Sequence, residues 1–310
     1  MLCTLLCVWA SAIAATSPAR AQSELVLEGD NIITVMLRNA PVTLEVDPGH
    51  TGPVALNPAT VERLGVRGQL DMTYDYGAFE VQAATSYEGV EFGGATRRLR
   101  VAWTAYPASA IAEGVIGVHD LPFDRVTLRL RPALANESVQ TLPLRYRGTR
   151  RYQRLGVEQD VADKRMFFLF SNTIEPNFVS ARTANFLATN QEGGFLPGTA
   201  SQVAMGPGII RPTLDMHLAH PLLLGELEIN RFAVRIEDYG RPHRVEELAA
   251  DDPRVLEDMI LVTRRAGRGR PDLTTRIGRA QLSHCSQMVF DKAAMQLHLT
   301  CGLRPMAEQS

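Results

Sequence analysis

From residue 24 onward the chain is a series of short apolar runs broken by polar turns. Runs at 24–27, 32–37, 42–46, 90–92, 98–101 and 126–130 are rich in Val, Ile, Leu and Thr, and Gly, Pro, Asn and Asp fall between them. Runs of this length and composition, punctuated in this way, predict strands. Helical spacing is rare. Residues 57–64 predict a helix with Asn57 as its cap and Pro58 in its first turn; 180–189 predict a second, capped by Ser180; 246–261 hold a third. The expected fold is therefore mainly β with small helices. The rhythm breaks between 132 and 164, where Arg145, Arg147, Arg150, Arg151 and Arg154 cluster. This stretch is expected to connect two halves, carrying some strand, with its arginines forming a solvated face. RRAGRGRP at 264–271 is expected to be an exposed loop.

The N-terminus follows a different pattern. Residues 2–15 form an uncharged run, too short for a bilayer, which takes about 20 residues. It has the length of a signal-peptide h-region, and Ala19-Arg20-Ala21 supplies a cleavage pattern, although a basic segment before the run is missing. Cleavage after Ala21 is expected, placing the mature protein in the periplasm of a bacterium or in the medium. No later run reaches the roughly 18 apolar residues that would suggest a membrane span.

Composition changes little in this picture. The 310 residues are 45% hydrophobic and 21% charged with a formal net charge of −2, which excludes a disordered, collagen-like or coiled-coil chain and gives no general attraction to nucleic acid. Lys164 and Lys292 are its only lysines. Two cysteines, Cys3 and Cys7, would leave with the signal peptide. A hairpin with Asp291 opposite Met295 places Cys285 opposite Cys301, so a cross-strand disulfide is expected in an oxidising compartment, with two free buried thiols as the alternative. No metal or cofactor is expected. His217 and His220, three apart beside Pro221, are a weak metal signal, and the chain has no Gly-x-Ser-x-Gly elbow, Walker A loop or Gly-x-Gly-x-x-Gly opening a helix.

The informative feature is an internal repeat. TLEV-DPG followed by HTGPVALNPATVERL at 43–64 has the same plan as FLF-SNT followed by IEPNFVSARTANFL at 168–187. Later in each half comes a hydrophobic-Gly-x-x-x-Leu signature, at Ile116-Gly117 to Leu121 and at Ile277-Gly278 to Leu282. In order and duplication these motifs resemble the aspartic protease superfamily of the retropepsin-like and pepsin-like kind. The resemblance implies two related β-barrel lobes, 22–131 and 165–310, sharing one cleft. It implies that Asp47 and Gly49 form the first active-site loop, that Ile116, Gly117, Ile277 and Gly278 are ψ-loop supports, and that Tyr74, Tyr76 and Gly77 form a flap tip. The strands VEFGG at 90–94 and GELEI at 225–229 look like later strands of the two lobes.

An acid protease needs two carboxylates close enough to share a proton, one activating water and the other donating to the substrate carbonyl. Here Pro48 replaces the hydroxyl residue after the first Asp, and Ser171 stands where the resemblance implies the second. Asp163 and Asp215 lack the hydrophobic-Asp-x-Gly context. Glu175, four residues after Ser171, is the substitute acid to weigh, and a homodimer pairing two Asp47 residues is a further route. The expectation is an exported, catalytically impaired relative that binds an extended peptide in its cleft. A working periplasmic endopeptidase is the first alternative, and an assembly module without a cleft ligand the second; in the latter Asp47 is only a turn residue bonding local backbone.

Overall fold

A computed structural model describes residues 23–75, 80–149, 152–206, 208–236 and 273–302. The expected signal peptide, the 246–261 helix, the 264–271 loop, Tyr76, Gly77, Arg150 and Arg151 lie outside the described residues. The fold is mainly β, as the pattern predicts. Alternation is visible in Glu80–Phe92, where Val81, Ala83 and Thr85 and then Glu88, Val90 and Phe92 are buried, the phase slipping by one between the two sets. Lys164–Phe170 instead buries five consecutive residues, because it is covered on both faces.

In the first half, strands Ile32–Leu37, Ala40–Val46, Gly114–Ile116, Val54–Leu56, Ala95–Trp103 and Glu80–Phe92 are neighbours in that order. Pairing of Met36 with Glu91 and Leu37 with Val90 joins the last to the first and closes a six-stranded barrel. The second half repeats the order with Arg154–Val161, Lys164–Phe170, Leu273–Ile277, Phe178–Val179, Leu227–Arg235 and Ile209–Leu224. Strand senses repeat as well. Ala40–Val46 runs parallel to Gly114–Ile116, as Lys164–Phe170 does to Leu273–Ile277. Val54–Leu56 and Phe178–Val179 each run antiparallel to that partner and parallel to the next strand. Where backbone pairing closes the first barrel, the second sets the Gln159 side-chain amide against the Leu223 carbonyl at 2.6 Å. Within 132–164, both Ser138–Arg147 and Arg154–Val161 are strands, and the guanidinium groups of Arg147 and Arg154 lie 5.0 and 5.5 Å from the ring of Phe167.

Helix α1, Pro58–Leu64, and helix α2, Ala181–Gln191, occupy the predicted places. Ser180 caps α2 through Thr183 N. Asn57 stands at the N-cap of α1 but gives its side chain no capping bond; it accepts from the amides of Ala108 and Ser109 and donates to the carbonyls of Ser109 and Ala112. Its side chain pins the loop beside the cleft, and Pro58 starts the helix without it.

One sheet unites the halves: Glu24–Leu27, Arg125–Arg129, Cys285–Asp291, Gln296–Cys301 and Ser138–Arg147 pair in that order and run on into the second half. Cys285 and Cys301 are disulfide-bonded across this hairpin. The register differs by one from the expected pairing, because Asp291 faces Gln296 rather than Met295. A bulge between Cys285 and Gln287 takes up the extra residue and returns Cys285 to Cys301. The bulged Ser286 accepts from the amides of Leu130 and Arg131 through its carbonyl and donates to Glu137 through its hydroxyl. Among the described residues, no helix is long and apolar enough to cross a membrane.

Candidate functional site

The repeated ψ-shaped crossings set two loops against each other. Asp47 N donates to the carbonyl of Ile116 at 3.1 Å, and Ser171 N donates to that of Ile277 at 2.9 Å. These matching bonds make Asp47 and Ser171 equivalent positions of the repeat. Gly117 and Gly278 follow the two carbonyls, and their backbones are closely approached. A Cβ on Gly278 would lie 2.3 Å from the Pro176 carbonyl oxygen, and one on Gly117 would lie 2.4 Å from the His119 ring. Gly49 is similarly constrained, since its Cβ would lie 2.8 Å from the Cβ of Ser171. Glycine at 49 is what lets the two loops touch.

Where they touch, the Asp47 carboxylate is fully engaged. Oδ1 accepts from Gly49 N at 3.1 Å and Asn172 N at 3.3 Å. Oδ2 accepts from Ser171 Oγ at 3.3 Å and Thr173 Oγ1 at 3.1 Å. Asn172 Nδ2 crosses back to the Val46 carbonyl at 3.1 Å. Ser171 is wholly buried, its Oγ also accepting from Thr173 N and Ile174 N. Burial pushes the Asp47 carboxyl above its usual range despite the bonds from Gly49, Ser171 and Thr173. Glu175 turns elsewhere and pairs with Arg279. Asp163 pairs with its neighbour Lys164 and Asp215 with Arg231.

A cleft of about 950 Å³ opens over this junction. Asp47, Gly49, Asn172, Thr173 and Glu175 line it together with Tyr74. Tyr74 belongs to the hairpin of Gln69–Asp75 and Glu80–Phe92. A second hairpin, Ser201–Met205 with Ile209–Leu224, occupies the equivalent place in the repeat and adds Met205, Gly206 and Gly208 to the lining. Tyr74 and Val81 from the first hairpin pack with Val203, Met205 and Ile209 from the second, together with Ile174 and Phe178. Gly206 and Gly208 follow and precede the two strands of this second hairpin, and the signal available in the sequence was the hairpin's place in the repeat.

Beneath the first loop lies a titratable cluster absent from the sequence reading. His50 Nε2 lies 2.8 Å from the Pro53 carbonyl, and burial holds its ring below the usual histidine range. His119 Nε2 lies 3.5 Å from Asp120 Oδ2. Burial lowers His119 to about 4 and raises Asp120 to about 6. Lys292, from the turn of the last hairpin, donates to the carbonyls of Leu121 and Val118 at 2.6 and 3.4 Å, and burial lowers it to about 8. The equivalent region of the second half is neutral: Asn177 donates to Gln281 and accepts from Gly278 N.

Two of these shifts, those of Asp120 and His119, act oppositely on stability. Asp120, raised, contributes stability below its unfolded value near 4 that is lost as pH rises to about 6. His119, lowered, contributes stability above its unfolded value near 6.5 that is lost as pH falls to about 4. These two contributions are opposite in sign and similar in size. Asp120→Asn removes one side of the balance, and urea titrations should show it losing roughly 2 kcal/mol more than the parent between pH 7 and pH 4. Parallel pH profiles would contradict the opposition.

No family model and no curated protein matches the chain. Among solved structures it is similar to a retropepsin-like aspartic protease from Rickettsia conorii, with 13% sequence identity and a TM-score of 0.25, over 40% of this chain and 82% of that one.

Proposed function

We propose that this is an exported, aspartic-protease-like protein whose cleft holds an extended peptide or protein segment without cutting it. The observation that carries this reading is the hydroxyl of Ser171 opposite Asp47. In an acid protease a second carboxyl would share a proton with the first. Here Ser171 and Thr173 donate to Asp47 Oδ2, and two backbone amides occupy Oδ1. Among the described residues no second carboxyl stands at the Ser171 position, so Asp47 has no partner there with which to share a proton or to polarise a carbonyl. The disulfide fits an oxidising compartment, and the expected signal peptide accounts for reaching it.

The experiment is cleavage of a mixed peptide library by the purified chain and by Asp47→Asn, between about pH 3 and 7, where a carboxylate pair operates. The expected result is no cleavage beyond that of the variant. Turnover that Asp47→Asn abolishes would establish the alternative, an active endopeptidase drawing on another carboxylate.

A further inference from the structure

The repeat allows the two sides of the cleft to be compared pair by pair, and the charges fall differently on the two sides. On the first side Glu45 and Val115 are paired neighbours, and both line the cleft. Their equivalents, two residues before Ser171 and one before Ile277, are Leu169 and Arg276, which pair in the same way. The equivalent of Glu45 is the apolar Leu169 and the equivalent of Val115 is Arg276, so one pair carries a carboxylate and the other a guanidinium. The asymmetry extends outward. Asp30 joins Glu45 in lining the first side, whereas Arg279 joins Arg276 on the second, with Glu175 paired to it.

The first corner is rich in acceptors. Burial raises the Glu45 carboxyl above its usual range, and the charges of Asp47 and Asp30 raise it further, against one hydrogen bond from Ser109 Oγ at 2.6 Å. Asn31, 5% exposed and lining the same corner, has an Oδ1 without a hydrogen-bond partner among the described residues. Three carboxylates and an unmatched carbonyl in one corner call for a cationic donor.

We infer that the cleft is polarised and selects a dipolar segment, lodging a Lys or Arg side chain at the Asp30–Glu45 corner and an acidic side chain against Arg276 and Arg279. This rests on the peptide-binding reading above. Adjacent residues of an extended chain point to opposite sides, so two neighbouring side chains of opposite charge, placed over the Asp47–Ser171 junction, reach the two corners. Lodging the cation favours ionised Glu45, so binding of such a segment releases protons and tightens as pH rises through the raised Glu45 range.

The test is calorimetric titration of the full chain with acetylated, amidated octapeptides of Ala, Val and Thr, with Lys-Glu, Glu-Lys, Glu-Glu, Lys-Lys or Gln-Gln at the two central positions. One of the two dipolar orders is expected to bind about tenfold more tightly than Gln-Gln and than either like-charged peptide. Glu45→Gln should collapse that difference, Asp30→Asn should reduce it, and the rise in affinity with pH should vanish in Glu45→Gln. If all five peptides bind equally, or the preference survives Glu45→Gln, the polarity is wrong while the cleft reading stands. If none binds, both fall together.

Discussion

Ser171→Asp should destabilise the protein by about 3–5 kcal/mol at pH 7 and by far less near pH 4. The substitution places a second carboxyl in a fully buried position, directly against the Oδ2 of Asp47. It also removes a hydroxyl that donates to Asp47. Two ionised carboxylates in contact and away from water repel strongly, and an uncompensated buried charge costs several kcal/mol. The amides of Thr173 and Ile174 that now bond Ser171 Oγ offset part of this. The pair would hold one proton in the folded state with an affinity above that of either acid in the unfolded chain. Its folded value is therefore raised, so the pair's relative stability is present at low pH and lost as pH rises. Chemical denaturation of Ser171→Asp and Ser171→Asn at both pH values separates charge from size. Asn carries similar bulk without the charge and should show a loss that does not depend on pH. Equal losses at pH 4 and 7 for the Asp variant would mean that the two positions do not share one buried site.

Replacing Cys285 and Cys301 together with alanine should cost about 3 kcal/mol, the loop-closure value for a cross-link of roughly 15 residues. The two cysteines are 16 apart in sequence. The effect should be global, because this hairpin lies between Arg125–Arg129 and Ser138–Arg147 in the uniting sheet. A single unfolding transition moving to lower denaturant is the expected outcome. A second, earlier transition would mean that the hairpin frays alone while the two halves hold.

The pairing of Asp47 with Ser171 was legible because the chain states it twice: the same strand, turn and helix occur in each half, so equivalent positions can be aligned within one sequence. Strands with clean alternation were equally clear. Ile209–Leu224 was not, because Pro212 and Pro221 interrupt it, and proline counts against a strand when read locally. The strand tolerates Pro221 through a register shift between His217 and Leu222. The second covering hairpin was missed for that reason. The offset in the cysteine hairpin has a different origin. The bulge at Ser286 is fixed by the amides of Leu130 and Arg131 and by Glu137, partners about 150 residues away that no local pattern announces. The His50, His119, Asp120 and Lys292 cluster escaped for the same reason. Histidines scattered along the sequence look incidental until the fold draws them behind one loop.

The uniting sheet has a consequence for the order in which the molecule assembles. Its strands come from the start, the middle and the end of the chain, and Cys285–Asp291 bridges Arg125–Arg129 to Gln296–Cys301, which in turn meets Ser138–Arg147. The first barrel can close from residues 32–116 alone. The second needs Leu273–Ile277, and the joint between the halves needs the last hairpin of all. Such distant partners make for slow folding. A chain emerging from its N-terminus would carry a finished first barrel well before the cleft, which takes shape only once Leu273–Ile277 and the Cys285–Cys301 hairpin have followed.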